Sequence, residues 1–318
     1  MALAYLLANN GYEVRVWTRH ADSAKKLSEN KGNPDKLPGV MLPDTVSFSC
    51  DMGYVLEDVS AAVLVVPSIH IRETARLMRD HLPEGALIVD CAKGLEESTL
   101  LPLSGVIREE LPTARIVALS GPSHAEEVGK GMPTAIVAAS EDAEAAEQVQ
   151  EIFMSPSFRV YTSSDMKGVE LGGALKNVIA LAAGVADGLG YGDNTKAAMI
   201  TRGMAEITRL GTAMGAQPET FAGLTGMGDL IVTCASMHSR NRRAGILIGQ
   251  GKSVQEALNE IGMVVEGVNT ARAAFLLAQK YDVSMPIVEV VNLVLFGDMQ
   301  PSDAVAGLML RDKKAERI

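Results

Sequence analysis

The 318 residues predict a doubly wound α/β domain with a mostly parallel sheet, followed by an all-α domain. Two observations carry this. Short β-rich runs recur between helical stretches as far as about residue 163, and several are near-continuously apolar, as strands covered on both faces should be. From Asp165 onward those runs stop and helical periodicity takes over. The expected division is residues 1–163 and 164–318, in keeping with domains of roughly 100–200 residues.

The elements follow in order. Residues 1–8 are apolar but lack the basic leader and cleavage site of a secretory signal. They read as the second half of an amphipathic helix closed at Gly11, so the chain is expected to begin inside a helix. Strands are expected at 13–17, 46–49, 61–66, 86–90, 115–119, 134–138 and 158–161, with helices at 69–81 and 141–153. In the second half, Ser253 and Glu256 have the spacing of a capping box, and Pro286 stands at a helix start. Residues 269–281 and 286–296 carry helical periodicity.

Composition narrows the function. Apolar residues make up 47% and charged residues 21%, which excludes disorder. Lys and Arg number 29 against 39 Asp and Glu, a net charge of −10 that repels nucleic acid and anionic membrane. No apolar run is expected to reach the roughly 20 residues of a bilayer span. Cys50, Cys91 and Cys234 are scattered without metal spacing and read as reduced thiols of a cytoplasmic chain.

In open α/β sheets, ligands sit beyond the carboxyl ends of strands. Four strands end in polar or turn residues at 18–20, 67–68, 91–94 and 120–124, and four such ends on one sheet edge favour a site. Arg19 follows the 13–17 strand; in a dinucleotide site an arginine there accommodates a 2′-phosphate, which favours NADP. Lys176 lies among small apolar helical neighbours, so it must reach solvent, pair, or lower its pKa by desolvation. A tuned amine of that kind is a general acid/base. Residues 223–229 read as a Gly-rich turn that delivers the Asp229 carboxylate and lacks the Walker ending. Ser239-Arg-Asn-Arg-Arg243 is a compact donor cluster suited to a phosphate dianion, or else a solvated basic turn. Residues 263–267 place a lone acid, Glu266, beside an apolar run.

Gly121-Pro-Ser-His-Ala-Glu-Glu127, Leu175-Lys-Asn-Val-Ile-Ala180, Gly226-Met-Gly-Asp-Leu230, Ser239-Arg-Asn-Arg-Arg243 and Val265-Glu-Gly-Val268 occur in this order. Together they closely resemble bacterial NAD(P)-dependent glycerol-3-phosphate dehydrogenase, from residue 1 to about 312. The resemblance implies a Rossmann-type domain and an all-α catalytic domain that interconvert dihydroxyacetone phosphate and sn-glycerol 3-phosphate in phospholipid precursor synthesis. It implies Lys176 as general acid/base, with Lys93 and Asp229 as supporting charges. Lys93, Gly121, Ser123, Lys176, Asp229, Ser239, Arg240 and Asn241 would hold the substrate. Arg19, His20, Lys93, Ala125, Arg240, Val264 and Glu266 would line NAD or NADP. No metal is implied, no nucleic acid or membrane partner, and a homodimer is expected.

The family begins with a strand and a Gly-x-Gly-x-x-Gly-type turn that cradles the pyrophosphate. This chain starts just after that turn, so the first strand and the phosphate-binding glycines are expected to be missing. Two other readings follow. A related hydroxy-acid dehydrogenase would bind a carboxylate where residues 239–243 suit a phosphate. A non-catalytic phosphometabolite-binding protein would have lost its dinucleotide site.

Overall fold

A computed structural model describes residues 1–313, 315 and 316. The chain forms two compact units. The first comprises Met1–Val66, His70–Cys91 and Ser104–Met166, the second Pro67–Ile69, Ala92–Leu103 and Lys167 onward. Two short pieces of the N-terminal half therefore belong to the second unit, which a single division at 163/164 does not provide for.

The first unit runs α1 (Ala2–Asn9), β1 (Val14–Trp17), α2 (Ala21–Glu29), β2 (Val46–Ser49), α3 (Met52–Leu56), β3 (Ala62–Leu64), α4 (Ile71–Met78) and β4 (Leu87–Asp90). It continues α5 (Leu103–Glu110), β5 (Arg115–Ser120), α6 (Ala125–Val128), β6 (Thr134–Ala139), α7 (Ala143–Phe153) and β7 (Phe158–Ser163). All seven expected strands form. The expected 69–81 helix is shorter, because 3₁₀ turns at Ser68–His70 and Arg79–His81 flank α4.

β3 to β7 form one sheet in sequence order, parallel except where β6 runs against β5. Val89, Val117, Ala138 and Val160 have no exposed surface and make its centre, with Val149 and Phe153 of α7 packed in the same core. β1 and β2 pair in parallel as a separate two-stranded sheet, Val14 opposite Val46. The expectation of four polar strand ends along one sheet edge is thereby corrected: β1 stands in its own sheet. Gly11, at φ +94°, closes α1 in the left-handed region that favours glycine. The unit is Rossmann-like.

The second unit is helical, with no strand among the described residues. It contains α8 (Met166–Gly188), α9 (Asp193–Ala213), α10 (Pro218–Ala222), α11 (Asp229–Ala235), α12 (Arg240–Gly249), α13 (Val254–Ile261), α14 (Glu266–Lys280), α15 (Pro286–Phe296) and α16 (Pro301–Met309). The Ser253–Glu256 capping box forms on α13, and Pro286 opens α15. Glu206, buried in α9, accepts hydrogen bonds from Ile287 and Val288 at the start of α15, and burial pushes its carboxyl up to about 7.

α8 overturns one expectation. Its 23 residues are long and apolar enough to cross a membrane by length and composition. Its most apolar stretch is instead wholly buried, as in the central helix of a folded core. α8 and α12 touch through glycine. A Cβ on Gly184 would lie 2.1 Å from the Arg242 carbonyl oxygen, and one on Gly245 would lie 2.1 Å from that of Leu181. The two backbones are in contact, which fixes the start of α12 against α8.

Gly184→Ala is expected to lower the unfolding free energy by about 1–3 kcal/mol or more, since backbone cannot yield to the methyl. Gly307→Ala, on an exposed helical face with nothing within 4 Å, is expected to raise it by roughly 0.5–1 kcal/mol. Urea titrations of the two variants check both signs.

Candidate active site

Asp229 is the first residue of α11, directly after a π-helical turn over Leu224–Gly228. After the extended Gly223, residues 224–229 therefore continue helically, where a Gly-rich turn was expected. Glycine is needed because the turn lies on backbone: a Cβ on Gly226 would sit 2.1 Å from the Phe221 carbonyl oxygen. π turns are often found at functional sites. Here the turn delivers a carboxylate that is 2% exposed.

Two lysines meet that carboxylate from opposite sides. Lys176 of α8 donates to Asp229 Oδ1 at 2.7 Å, and Lys93, in the segment after β4, donates to Oδ2 at 2.7 Å. The Lys176 amine also donates to Thr233 Oγ1 at 2.6 Å, and that hydroxyl donates to the Asp229 carbonyl at 2.6 Å. Lys176 is 5% exposed, so it has not snorkelled to solvent. Of the alternatives open from sequence, it both pairs and shifts. Burial, with the nearby Lys93 charge, outweighs Asp229 and lowers its pKa from 10.5 to about 8. Burial alone would raise the Asp229 carboxyl, but the two ammonium groups hold it below its ordinary range.

Asn177, next to Lys176, ties this centre to the anion donors. Its Nδ2 donates to the Lys93 carbonyl at 3.3 Å, and its Oδ1 accepts from Asn241 Nδ2 at 2.9 Å. Asn241 Oδ1 in turn accepts from the Gly267 N–H at 2.8 Å. Ser239 caps α12, its Oγ accepting from the Arg242 N–H. Arg240 makes no ion pair among the described residues. The donor cluster is smaller than its sequence implies, because Arg242 is committed to Asp187 at 2.8 Å. Glu266 opens α14, where its carboxylate accepts from the Ser68 N–H at 3.0 Å and from Ser68 Oγ at 2.5 Å. Val264 is half-buried in the loop before it.

The remaining candidates lie in the first unit. Arg19 follows β1 and pairs with Glu73 at 2.6 Å, both groups about half exposed. His20 precedes α2. Gly121 closes β5 at φ +145°, with Ile136 Cα 3.1 Å from where its Cβ would be. Ser123 donates to the Gly121 carbonyl at 3.0 Å, and Ala125 begins α6. No group of three or more His, Cys, Asp or Glu suited to a metal occurs among the described residues.

Sequence reasoning missed Thr233 and the role of Asn177. Thr233 stands four residues after Asp229, so helical spacing alone puts it on the same face. Asn177 had no such signal, because its partners are remote in sequence.

A Rossmann-like unit followed by a helical unit with a buried lysine–carboxylate centre defines a two-domain nicotinamide-dependent oxidoreductase. Residues 1–146 match the N-terminus of NAD-dependent glycerol-3-phosphate dehydrogenase, and residues 165–306 match its C-terminus. A glycerol-3-phosphate dehydrogenase [NAD(P)+] of Agathobacter rectalis is 55% identical over 315 residues, covering 99% of this chain and 94% of the relative. One from Desulfitobacterium hafniense is 56% identical over 315 residues, covering 99% and 89%. The crystal structure of glycerol-3-phosphate dehydrogenase from Coxiella burnetii superposes with a TM-score of 0.94 at 37% identity, covering 98% of this chain and 95% of that one. The chain belongs to the NAD-dependent glycerol-3-phosphate dehydrogenase family.

Asp229→Asn would leave the buried Lys176 ammonium and the half-buried Lys93 ammonium without their shared counter-charge. It is expected to cost about 3–5 kcal/mol of stability at neutral pH. Denaturant unfolding of the variant checks this, and a loss below 1 kcal/mol contradicts it.

Proposed function

We propose that this chain interconverts dihydroxyacetone phosphate and sn-glycerol 3-phosphate with NAD(P)H, supplying the backbone of glycerophospholipids. The observation that carries the mechanism is the buried Lys176 amine, held between Asp229 and Thr233 beside Lys93.

A nicotinamide bound here would supply the hydride in reduction and accept it in oxidation. The side chains present suit such a cofactor. Arg19 is a surface guanidinium whose exposed pairing with Glu73 is worth little, so its fork can turn to a 2′-phosphate. That favours NADP over NAD. His20 and Ala125 are the other residues of the first unit assigned to it.

In ketone reduction, hydride addition at the carbonyl carbon leaves negative charge on its oxygen. The Lys176 ammonium stabilises that charge and gives up a proton, so a hydroxyl forms and the lysine ends as a neutral amine. In the reverse direction the neutral amine takes the hydroxyl proton as hydride leaves carbon. Asp229 and Thr233 orient Nζ, and Lys93 helps keep its pKa low enough for both directions. The phosphate end falls to Ser239, Arg240 and the amide of Asn241. Asn241 gives one amide hydrogen to Asn177 and has a second for the phosphate. The enzyme acts as a cytoplasmic homodimer; the exposed Leu293 and Phe296 of α15 support an apolar contact surface.

NADPH oxidation by this chain with dihydroxyacetone phosphate tests the reaction, and no turnover from the folded protein overturns it. Lys176→Ala is expected to lose roughly 10²–10⁴-fold in kcat while keeping its fold. The amine must be protonated for reduction, so kcat/KM for the ketone should fall as pH rises through about 8. For the alcohol it should rise over the same range. Profiles flat across that window in both directions contradict the assignment.

A further inference from the structure

Arg242 stands inside the donor cluster yet faces away from it. Its Nε and Nη2 both meet Asp187 Oδ2 at 2.8 Å, and its Nη1 donates to the Ala235 carbonyl at 2.8 Å. Asp187 also pairs with Lys196 of α9 at 2.9 Å through its other oxygen. The side chains of Arg242 and Asp187 are each 14% exposed, so this is a largely desolvated pair with both carboxylate oxygens occupied. The Arg242 backbone is held as firmly: its carbonyl lies against Gly184, and its N–H donates to Ser239 Oγ. One residue thus joins α8, the 235–237 loop and the cap of α12.

We propose that Arg242 and Asp187 form a positioning pair that sets the phosphate donors Ser239, Arg240 and Asn241 relative to Lys176 without touching substrate. This rests on the reading of those three residues as the phosphate site. The geometry supports it in two ways. Asp187 lies eleven residues beyond Lys176 on α8, about 16 Å along the helix, so the pair is remote from the reacting carbon. And all three Arg242 guanidinium nitrogens face partners within the chain itself, Asp187 and the 235–237 loop, so it acts through the three residues that precede it. Two nitrogens of a planar guanidinium on one carboxylate oxygen, with the third on the Ala235 carbonyl, fix direction as well as distance, which an ammonium cannot do.

The test compares dihydroxyacetone phosphate with dihydroxyacetone, which lacks the phosphate, in the wild-type chain and in Arg242→Gln, Arg242→Lys and Asp187→Asn. Wild type should prefer the phosphorylated ketone strongly in kcat/KM; no preference overturns the phosphate site itself, and the pair's role with it. Given that preference, Arg242→Gln should reduce it by roughly 10–100-fold, mainly through KM, with activity on dihydroxyacetone kept. Arg242→Lys and Asp187→Asn should show a smaller loss of the same kind, and they supply the readout if Arg242→Gln does not fold. Variants that lose both substrates equally, or that unfold at lower denaturant with their phosphate preference intact, would show a merely structural pair and overturn the proposal.

Discussion

A carboxylate buried to 2% exposure between two ammonium groups constrains everything attached to it. Asp229 must be delivered without solvent, Lys176 must arrive along a helix buried on every side, and Lys93 must be brought in from the segment after β4. If Asp229 is displaced, two ammonium groups are left facing each other without their shared counter-charge, which costs far more than an exposed pair ever contributes. The glycines of the second unit follow from this demand. Gly226 lets the π turn lie on α10, and Gly184 and Gly245 let α12 lie on α8, so the amine, the carboxylate and the start of α12 are set by backbone contact.

The electrostatics then follow from burial. A solvated lysine would hold its proton too tightly to give it up near neutral pH. Desolvation and the second lysine bring Lys176 to about 8, while Asp229 prevents the shift from going further and losing the charge altogether. One carboxylate thus holds the amine where, on the proposed reaction, it would act as an acid in one direction and a base in the other. Cys234, one turn from Asp229, shows the same low-dielectric surroundings: burial pushes its thiol up to about 12, so it is an inert packing group.

Much of the fold was legible because its signals are local. The β2 strand was read at its observed bounds, and β5 to β7 to within two residues, since apolar runs between turns are a periodic signal. The Ser253–Glu256 box and Pro286 were read for the same reason. The π turn was not, because glycine in sequence marks either a bend or a close contact, and only the packed Phe221 backbone decides between them. Lys176 was legible as an anomaly on an apolar helix, whereas Asp229 and Lys93 were named beside it only through the family resemblance, since they are 53 and 136 residues from their contacts and no local spacing links them. Arg242 looked like its neighbours Arg240 and Arg243, and only Asp187 distinguishes it.

The account depends on the protonation of one amine. Nuclear magnetic resonance titration of the Lys176 ammonium in the intact chain, assigned by comparison with Lys176→Arg, reads that directly. The structure predicts a midpoint near 8; titration near 10.5, the value of a solvated lysine, would contradict the buried amine as the proton donor and acceptor.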